Sequence, residues 1–261
     1  VLSAHRVDDV RAAEASLAAG LPDGELMRRA AAGLADALGH VAAGEILVVL
    51  VGPGNNGADA LYAAVPLLDR GVRVELCLLD ADVVHQDALS AALAAGAVVV
   101  DGPSGQRCCL DALFGIGARP GLRGRAADWA EWIARTRPHV VAVDVPSGVD
   151  VDGGTLPDVH VTADATVTFG TYKNALLAGP AAGAAGRGDA SIARLVDIGL
   201  APHLPAPDLE AIEASDGHLL GDVFGWLRTP SSHKYSRGVV GIAAGSAQYA
   251  GAAHLCVAGA Q

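Results

Sequence analysis

Three segments of the chain carry amide, hydroxyl and carboxyl groups at spacings that suit chemistry on a bound ligand. The first, Gly52-Pro53-Gly54-Asn55-Asn56-Gly57, follows an apolar run and opens a helical pattern. It reads G-x-G-x-x-G, and Asp80 closes the next apolar run. Together these match a dinucleotide-binding turn, whose glycines let the backbone approach a pyrophosphate at a helix N-terminus. A turn of small residues for close helix–sheet packing would read the same way. Neither reading requires Asn55, Asn56 and Asp59, which place two amides and a carboxylate at the helix start. No Gly-Lys-Ser/Thr follows, so the segment is not a P-loop.

The second segment is Asp111-Ala112-Leu113-Phe114-Gly115-Ile116-Gly117-Ala118-Arg119-Pro120-Gly121. A carboxylate at the end of a strand, before a glycine-rich loop, suits contact with a ligand or cation, although it also suits a capped turn. The third is Asp144-Val145-Pro146-Ser147-Gly148, which ends the run Val140–Val143. A carboxylate there is partly desolvated and fit for acid–base work; an Asx-type turn is the structural alternative. Asn56, Asp111 and Asp144 each fall at or just past the C-terminal end of an expected parallel strand. That edge is where open α/β sheets hold ligands. Asn56, Asp111 and Ser147 could surround a hard cation, leaving Asp144 free for proton transfer.

Other chemistries are disfavoured. The chain has no His/Cys cluster for zinc and no H-E-x-x-H. Ser147 is not in G-x-S-x-G. The nine histidines are scattered, and the four cysteines (Cys77, Cys108, Cys109 and Cys256) have no metal spacing. They read as reduced thiols of a cytoplasmic protein, with Cys108 and Cys109 facing opposite sides of a strand. With 18 Lys+Arg against 29 Asp+Glu, the net charge of −11 argues against nucleic acid and anionic membranes. Aromatics at 4% give no stacking platform. No apolar run is long enough to span a membrane, and Val1–Arg6 has no signal-peptide pattern.

The elements that must position these groups follow from periodicity. Val7, Val10, Glu14 and Leu17 mark one helical face, and Leu26, Ala30, Leu34 and Leu38 mark another, with Asp23 the expected N-cap of the second helix. Short apolar runs at Ile46–Val51, Val72–Leu79, Ala97–Val100, Arg107–Leu110 and Val140–Val143 then alternate with helical patterns at Ala58–Arg70, Val84–Ala95 and Arg125–Arg135. Strands apolar on both faces, alternating with helices, predict an α/β fold with a mostly parallel, helix-covered sheet. Pro66 predicts a kink or break in its helix. Two further strands are expected at Ala165–Phe169 and Ser191–Ile198.

Pro202-His203-Leu204-Pro205-Ala206-Pro207 favours an extended connector, placing a domain at 1–205 and a second segment at 206–261. The second holds an acidic helical patch, a loop at Thr229–Arg237, a strand at Val239–Ala243, a Gly245-Ser246 turn and a short helix, too little to bury a core.

The stretches VVLVGPGNNGADA, LDALFGIGARPGLRG, VVAVDVPSGVD and TFGTYK, in this order, resemble the N-terminal (YjeF-N) domain of NAD(P)H-hydrate epimerases over roughly Val7 to Leu200. Beyond the connector, His233–Gly238, Ile242–Ser246 and Tyr249–Ala253 resemble the opening of an ADP-dependent NAD(P)H-hydrate dehydratase domain, which is expected to be too short here to be active. The resemblance implies a Rossmann-like three-layer αβα sandwich. It also implies epimerisation of NADHX or NADPHX at C6 of the nicotinamide ring, and a homodimer. By resemblance, Asn55, Asn56, Gly57, Ala58, Asp59, Gly115, Ile116, Gly117, Ala118, Arg119, Pro120, Gly121 and Asp144 contact the substrate. Asp144 moves the proton, and Asn56, Asp111 and Ser147 hold a potassium ion. The partner in function is an NAD(P)H-hydrate dehydratase.

Two departures stand out. Ala58 and Ala60 replace glycines of the family's Asn-Asn-Gly-Gly-Asp-Gly, which would weaken binding if either position needs positive φ. Asn174-Ala175 follows the lysine of the TFG stretch, which puts a role for Lys173 in question. The alternatives are a non-catalytic nucleotide-binding module on the same fold, and an oxidoreductase using Gly52–Gly57 and Asp80.

Overall fold

Seven of the Val- and Leu-rich runs pair into one sheet. The computed structural model describes residues 1–186, 193–212, 244, 246 and 250–260. In chain order its elements are β1 (Leu2–His5), α1 (Val7–Ala18), α2 (Glu25–Ala37), β2 (Ile46–Val51), α3 (Asn55–Asp69), β3 (Arg73–Leu78), α4 (Gln86–Ala94), β4 (Val98–Val99), β5 (Cys108–Ala112), α5 (Arg125–Thr136) and β6 (His139–Val143). They continue with β7 (Ala165–Phe169), β8 (Tyr172–Lys173), α6 (Asn174–Leu177), α7 (Gly179–Ala182), β9 (Ala193–Val196) and β10 (Leu209–Ala211). The large sheet has the order β4-β3-β2-β5-β6-β7-β9, and every neighbouring pair is parallel.

Strand alternation divides the core in two. Leu47, Val49 and Val51 face Leu34, Leu61 and Leu89 of α2, α3 and α4, while Val48 and Leu50 face Trp129, Trp132 and Ile133 of α5. Helices therefore cover both faces, giving the three-layer, Rossmann-like α/β arrangement expected of doubly apolar strands. Cys108 and Cys109 pack on opposite faces, as adjacent strand residues must.

The order of strands fixes where a ligand fits. From β2 the chain winds outward through β3 to β4, then returns to β5 on the other side of β2. The C-terminal ends of β2 and β5 therefore flank a topological switch point, where the loops part and leave a crevice.

Two local expectations change. The N-cap of α2 is Gly24, at φ 73°, and not Asp23, because the chain enters that helix through a left-handed turn open to glycine. Helix α3 runs through Pro66 without a break, so Pro66 costs it one backbone donor and not its continuity.

A second sheet, β10-β1-β8, was not expected from the sequence. β1 pairs antiparallel with β10 and parallel with β8. Its buried His5 hydrogen-bonds through one ring nitrogen to Thr171 Oγ1 (2.7 Å) and through the other to the Pro205 carbonyl (3.2 Å). The first compact unit consequently extends to Ala211, past the prolines, because Leu209–Ala211 zip onto β1. In the second unit, Ile212–Gln261, the described element is a helix at Ala250–Ala260. The acidic patch, the loop at Thr229–Arg237 and the strand at Val239–Ala243 lie outside the described residues. No helix among the described residues is long and apolar enough to cross a membrane.

Candidate active site

A cleft of about 840 Å³ opens at the switch point. Its floor and walls come from the loops after β2, β5 and β6, from the end of β7, and from α1 and α2, which cross above them. This is large enough for most of a dinucleotide.

The glycines of the first loop have distinct tasks. A methyl on Gly52 would overlap the Leu113 carbonyl, so β2 and the loop after β5 meet here backbone to backbone. A methyl on Gly57 would collide with the Gly52 carbonyl and stand 3.1 Å from Val51 Cγ1, so Gly57 seats α3 on its strand. Gly54 is the N-cap of α3 and borders the cleft with Asn55, Asn56 and Asp59. Gly57 and Ala58 are not among the residues lining the cleft: the first packs on β2, and the Ala58 side chain is buried in the core. Ala58 and Ala60 both lie in the regular part of α3 and are fully buried, with no positive φ. Their methyl groups are therefore accommodated in the core without backbone strain.

Asn56, Asp111, Asp144 and Ser147 gather at one corner. The Asn56 side-chain amide donates to the Val143 carbonyl (2.7 Å), next to Asp144, while its Oδ1 packs against Gly115. Ser147 donates from its hydroxyl to Asp111 Oδ1 (2.7 Å) and from its backbone N–H to Oδ2 (2.8 Å), and its Oγ accepts from the Phe114 N–H (3.0 Å). The Phe114–Gly115 stretch thus ties the second loop to the other two. Asp111 and Ser147 are fully buried. Burial pushes the Asp111 carboxyl up to about 6, against the lowering effect of the Ser147 hydrogen bonds.

Asp144 ends β6 in the left-handed region, at φ 68°, which Asp tolerates better than most residues. Its N–H still donates to the Val167 carbonyl (2.6 Å), so the sheet holds the backbone while the turn throws the carboxylate into the cleft. There it accepts from Thr168 Oγ1 (3.1 Å) and from the Lys173 ammonium. Lys173 is 1% exposed and also donates to Thr168 Oγ1 (2.9 Å) and the Phe169 carbonyl (3.0 Å), which satisfies all three of its protons. β8, held by β1, delivers it.

The pairing of Lys173 with Asp144, and the cleft positions of Arg11 and Glu14, were not expected from the sequence. Two signals were present. Glu14 occupies a core-facing position of α1, where a carboxylate needs a reason. Lys173 is one of only two lysines in the chain, with Lys234. Burial raises the Glu14 carboxyl, offset in part by Lys173, with Asp144 adding to the rise and Arg11 opposing it. Asp59 is raised well above the ordinary range, by burial first and then by Asp144 and Glu14. It makes no hydrogen bond or ion pair with the described residues. Asp80 is not among the residues lining the cleft and caps its own turn by accepting from the Asp82 N–H (3.0 Å).

Residues 23–175 match the family described as YjeF-related protein N-terminus. The chain belongs to this family. It is 44% identical over 220 residues to an NAD(P)H-hydrate epimerase of Microbacterium testaceum, covering 78% of this chain and 81% of that protein. It is 40% identical over 260 residues to the bifunctional NAD(P)H-hydrate repair enzyme Nnr of Mycobacterium tuberculosis, covering 97% of this chain and 52% of that enzyme. The chain thus spans about half the length of the bifunctional relatives it matches. The crystal structure of yeast ynu0 shares the fold, with a TM-score of 0.60 at 19% identity over 82% of this chain and 98% of that one.

Proposed function

We propose that the chain interconverts the R and S forms of NAD(P)H hydrate at C6 of the nicotinamide ring, supplying the S epimer to a dehydratase. The observation that carries this is Asp144: a carboxylate set in a left-handed turn, aimed into the switch-point cleft and held by a buried lysine. The epimerase of Microbacterium testaceum, four-fifths of which this chain covers, supports the same reading.

The hydrate bears a hydroxyl on C6, beside the ring nitrogen. Reversible opening at that carbon, or loss and return of the hydroxyl, scrambles the stereocentre, and either route needs a proton moved at the hydroxyl. Asp144 is the group assigned to that transfer, and Lys173 keeps its carboxylate oriented. Asn55, Asn56, Asp59 and the Gly115–Gly121 loop bind the substrate. The buried faces of Phe169 and Leu122 exclude water from one side of the cleft.

In this reading Asn56, Asp111 and Ser147 would hold a potassium ion. Its donors are all oxygens, with one carboxylate among them, and among the described residues no basic side chain neutralises the fully buried Asp111. That set suits a hard monovalent cation. When bound, the ion would screen the carboxylate and fix the loops that carry the ligand. The functional unit in this reading is a cytoplasmic homodimer.

The test is a coupled assay. The R epimer is supplied with a separate S-specific dehydratase and its nucleotide, and recovery of NAD(P)H is followed by absorbance. The proposal expects acceleration above spontaneous epimerisation. Ligand binding without acceleration would instead establish a non-catalytic binding module.

A further inference from the structure

The charges around the cleft are sorted. Among its lining carboxylates Asp59 and Asp144 are buried and Glu14 half-buried, and Lys173 already neutralises Asp144. Arg11, Arg119 and Arg123 border the same cleft, and all three are exposed. None of the three makes a hydrogen bond or ion pair with the described residues. Some arginines elsewhere are engaged, Arg28 and Arg29 with Glu25, Arg194 with Asp36 and Arg125 on Trp129; others, such as Arg70 and Arg135, are also without an ion pair among the described residues but do not border the cleft. In a chain with 29 acidic and 18 basic residues, three unpaired guanidinium groups at one opening are a local reversal of sign.

Arg11 is the informative member. It comes from α1, far in sequence from the glycine loop, yet a methyl built on Gly117 would lie 2.8 Å from its Nη2. Its guanidinium therefore rests over the bare backbone of Gly117. Arg119 and Arg123 follow on the same loop. Helix α1 is fixed by the buried Val10 and Ala13, and by the Val7 N–H donating to Asp152 Oδ1 (2.9 Å). It carries Arg11 and Glu14 three residues apart, on one face. A planar fork held over a glycine loop is suited to phosphate oxygens, which it binds through paired N–H donors.

We propose that Arg11 binds substrate phosphate, closing with Arg119 and Arg123 a cationic rim that grips the diphosphate of a dinucleotide and turns its other end toward Asp144. This deepens the epimerase reading and rests on it for the identity of the substrate, but the binding claim can be tested without turnover. The probe is ADP-ribose, which has the diphosphate and no nicotinamide, titrated calorimetrically into the protein and into Arg11→Met, which keeps the aliphatic packing. The variant is expected to bind about tenfold more weakly or worse, with a shallower dependence on salt. Arg11→Lys should recover part of the loss, since it restores charge without the fork. In the coupled assay, Arg11→Met should raise KM by a similar factor and change kcat by less than about threefold, because the phosphate contact is the same in ground and transition states. Failure of the wild-type protein to bind ADP-ribose, or unchanged affinity in Arg11→Met, overturns the rim. Loss of ADP-ribose affinity in a protein that does not accelerate epimerisation upholds the rim and defeats the epimerase reading instead.

Discussion

Lys173 and Asp144, 29 residues apart, form an ion pair from which water is almost wholly excluded: their side chains are 1% and 9% exposed. Breaking such a pair leaves an uncompensated charge in a poorly solvated place. Lys173→Met is expected to destabilise the fold by about 3–5 kcal/mol, read from denaturant unfolding, and to abolish turnover. Adding Asp144→Asn to it should cost less than the two single changes summed, because the second removes the charge the first exposed. Additive losses would show that the two side chains are not energetically coupled.

Asp144→Asn alone keeps the shape of the group and its turn while removing the proton acceptor. The rate of epimerisation should fall about 100- to 10,000-fold, with ligand affinity changed much less. Asn tolerates the left-handed backbone as well as Asp does, so the turn should survive, while Lys173, left without its counter-charge, should lower the melting temperature. Turnover that persists at the wild-type rate would remove Asp144 from the chemistry.

Asp111 makes stability depend on pH. Its carboxyl ionises near 6 in the folded chain against an ordinary value of 3.8. Below about 3.8 the group is protonated in both states and costs nothing. Between 3.8 and about 6 the unfolded chain loses the proton first, so folding stability falls as pH rises. Above about 6 the full cost, about 3 kcal/mol, is present. Potassium should bind the ionised form. Melting temperature at pH 7.5 should therefore rise with KCl more than with choline chloride, and the difference should vanish near pH 4.5. Equal responses to the two salts at pH 7.5 would rule out an ion at Asn56, Asp111 and Ser147.

Two glycines separate function from folding. A methyl on Gly115 would stand 2.8 Å from Asn56 Cγ and push the amide from its place beside Val143 and Asp144. Gly115→Ala should fold, since a side chain can yield, and lose most of its activity. A methyl on Gly52 would instead overlap the Leu113 backbone, which cannot move without parting β2 from the loop after β5. Gly52→Ala should destabilise the protein by more than 2 kcal/mol, roughly the scale of an overpacked core. Thermal melts beside the coupled assay would separate the two effects, and a Gly115→Ala variant with full activity would show that the position of Asn56 does not matter.

The sequence by itself determined the large sheet and most of its helices. Val and Leu runs such as Ile46–Val51, apolar on both faces, could only be central parallel strands, and their C-terminal ends marked Asn56, Asp111 and Asp144 in advance. Period and composition are local properties, so they are legible one segment at a time. Tertiary structure decided the rest. β1, β8 and β10 are two to four residues long and have no period of their own; they exist because His5, Thr171 and Pro205 bring them together. The small sheet they form is what carries Lys173 to Asp144. Gly57 and Ala58 sat inside a ligand-binding motif, yet α3 turns them toward the sheet and the core. Arg11 and Glu14 read as ordinary residues of an amphipathic helix until α1 was laid across the cleft. Spacing along the chain fixes which face of an element a residue occupies, but only packing between distant elements decides what that face meets.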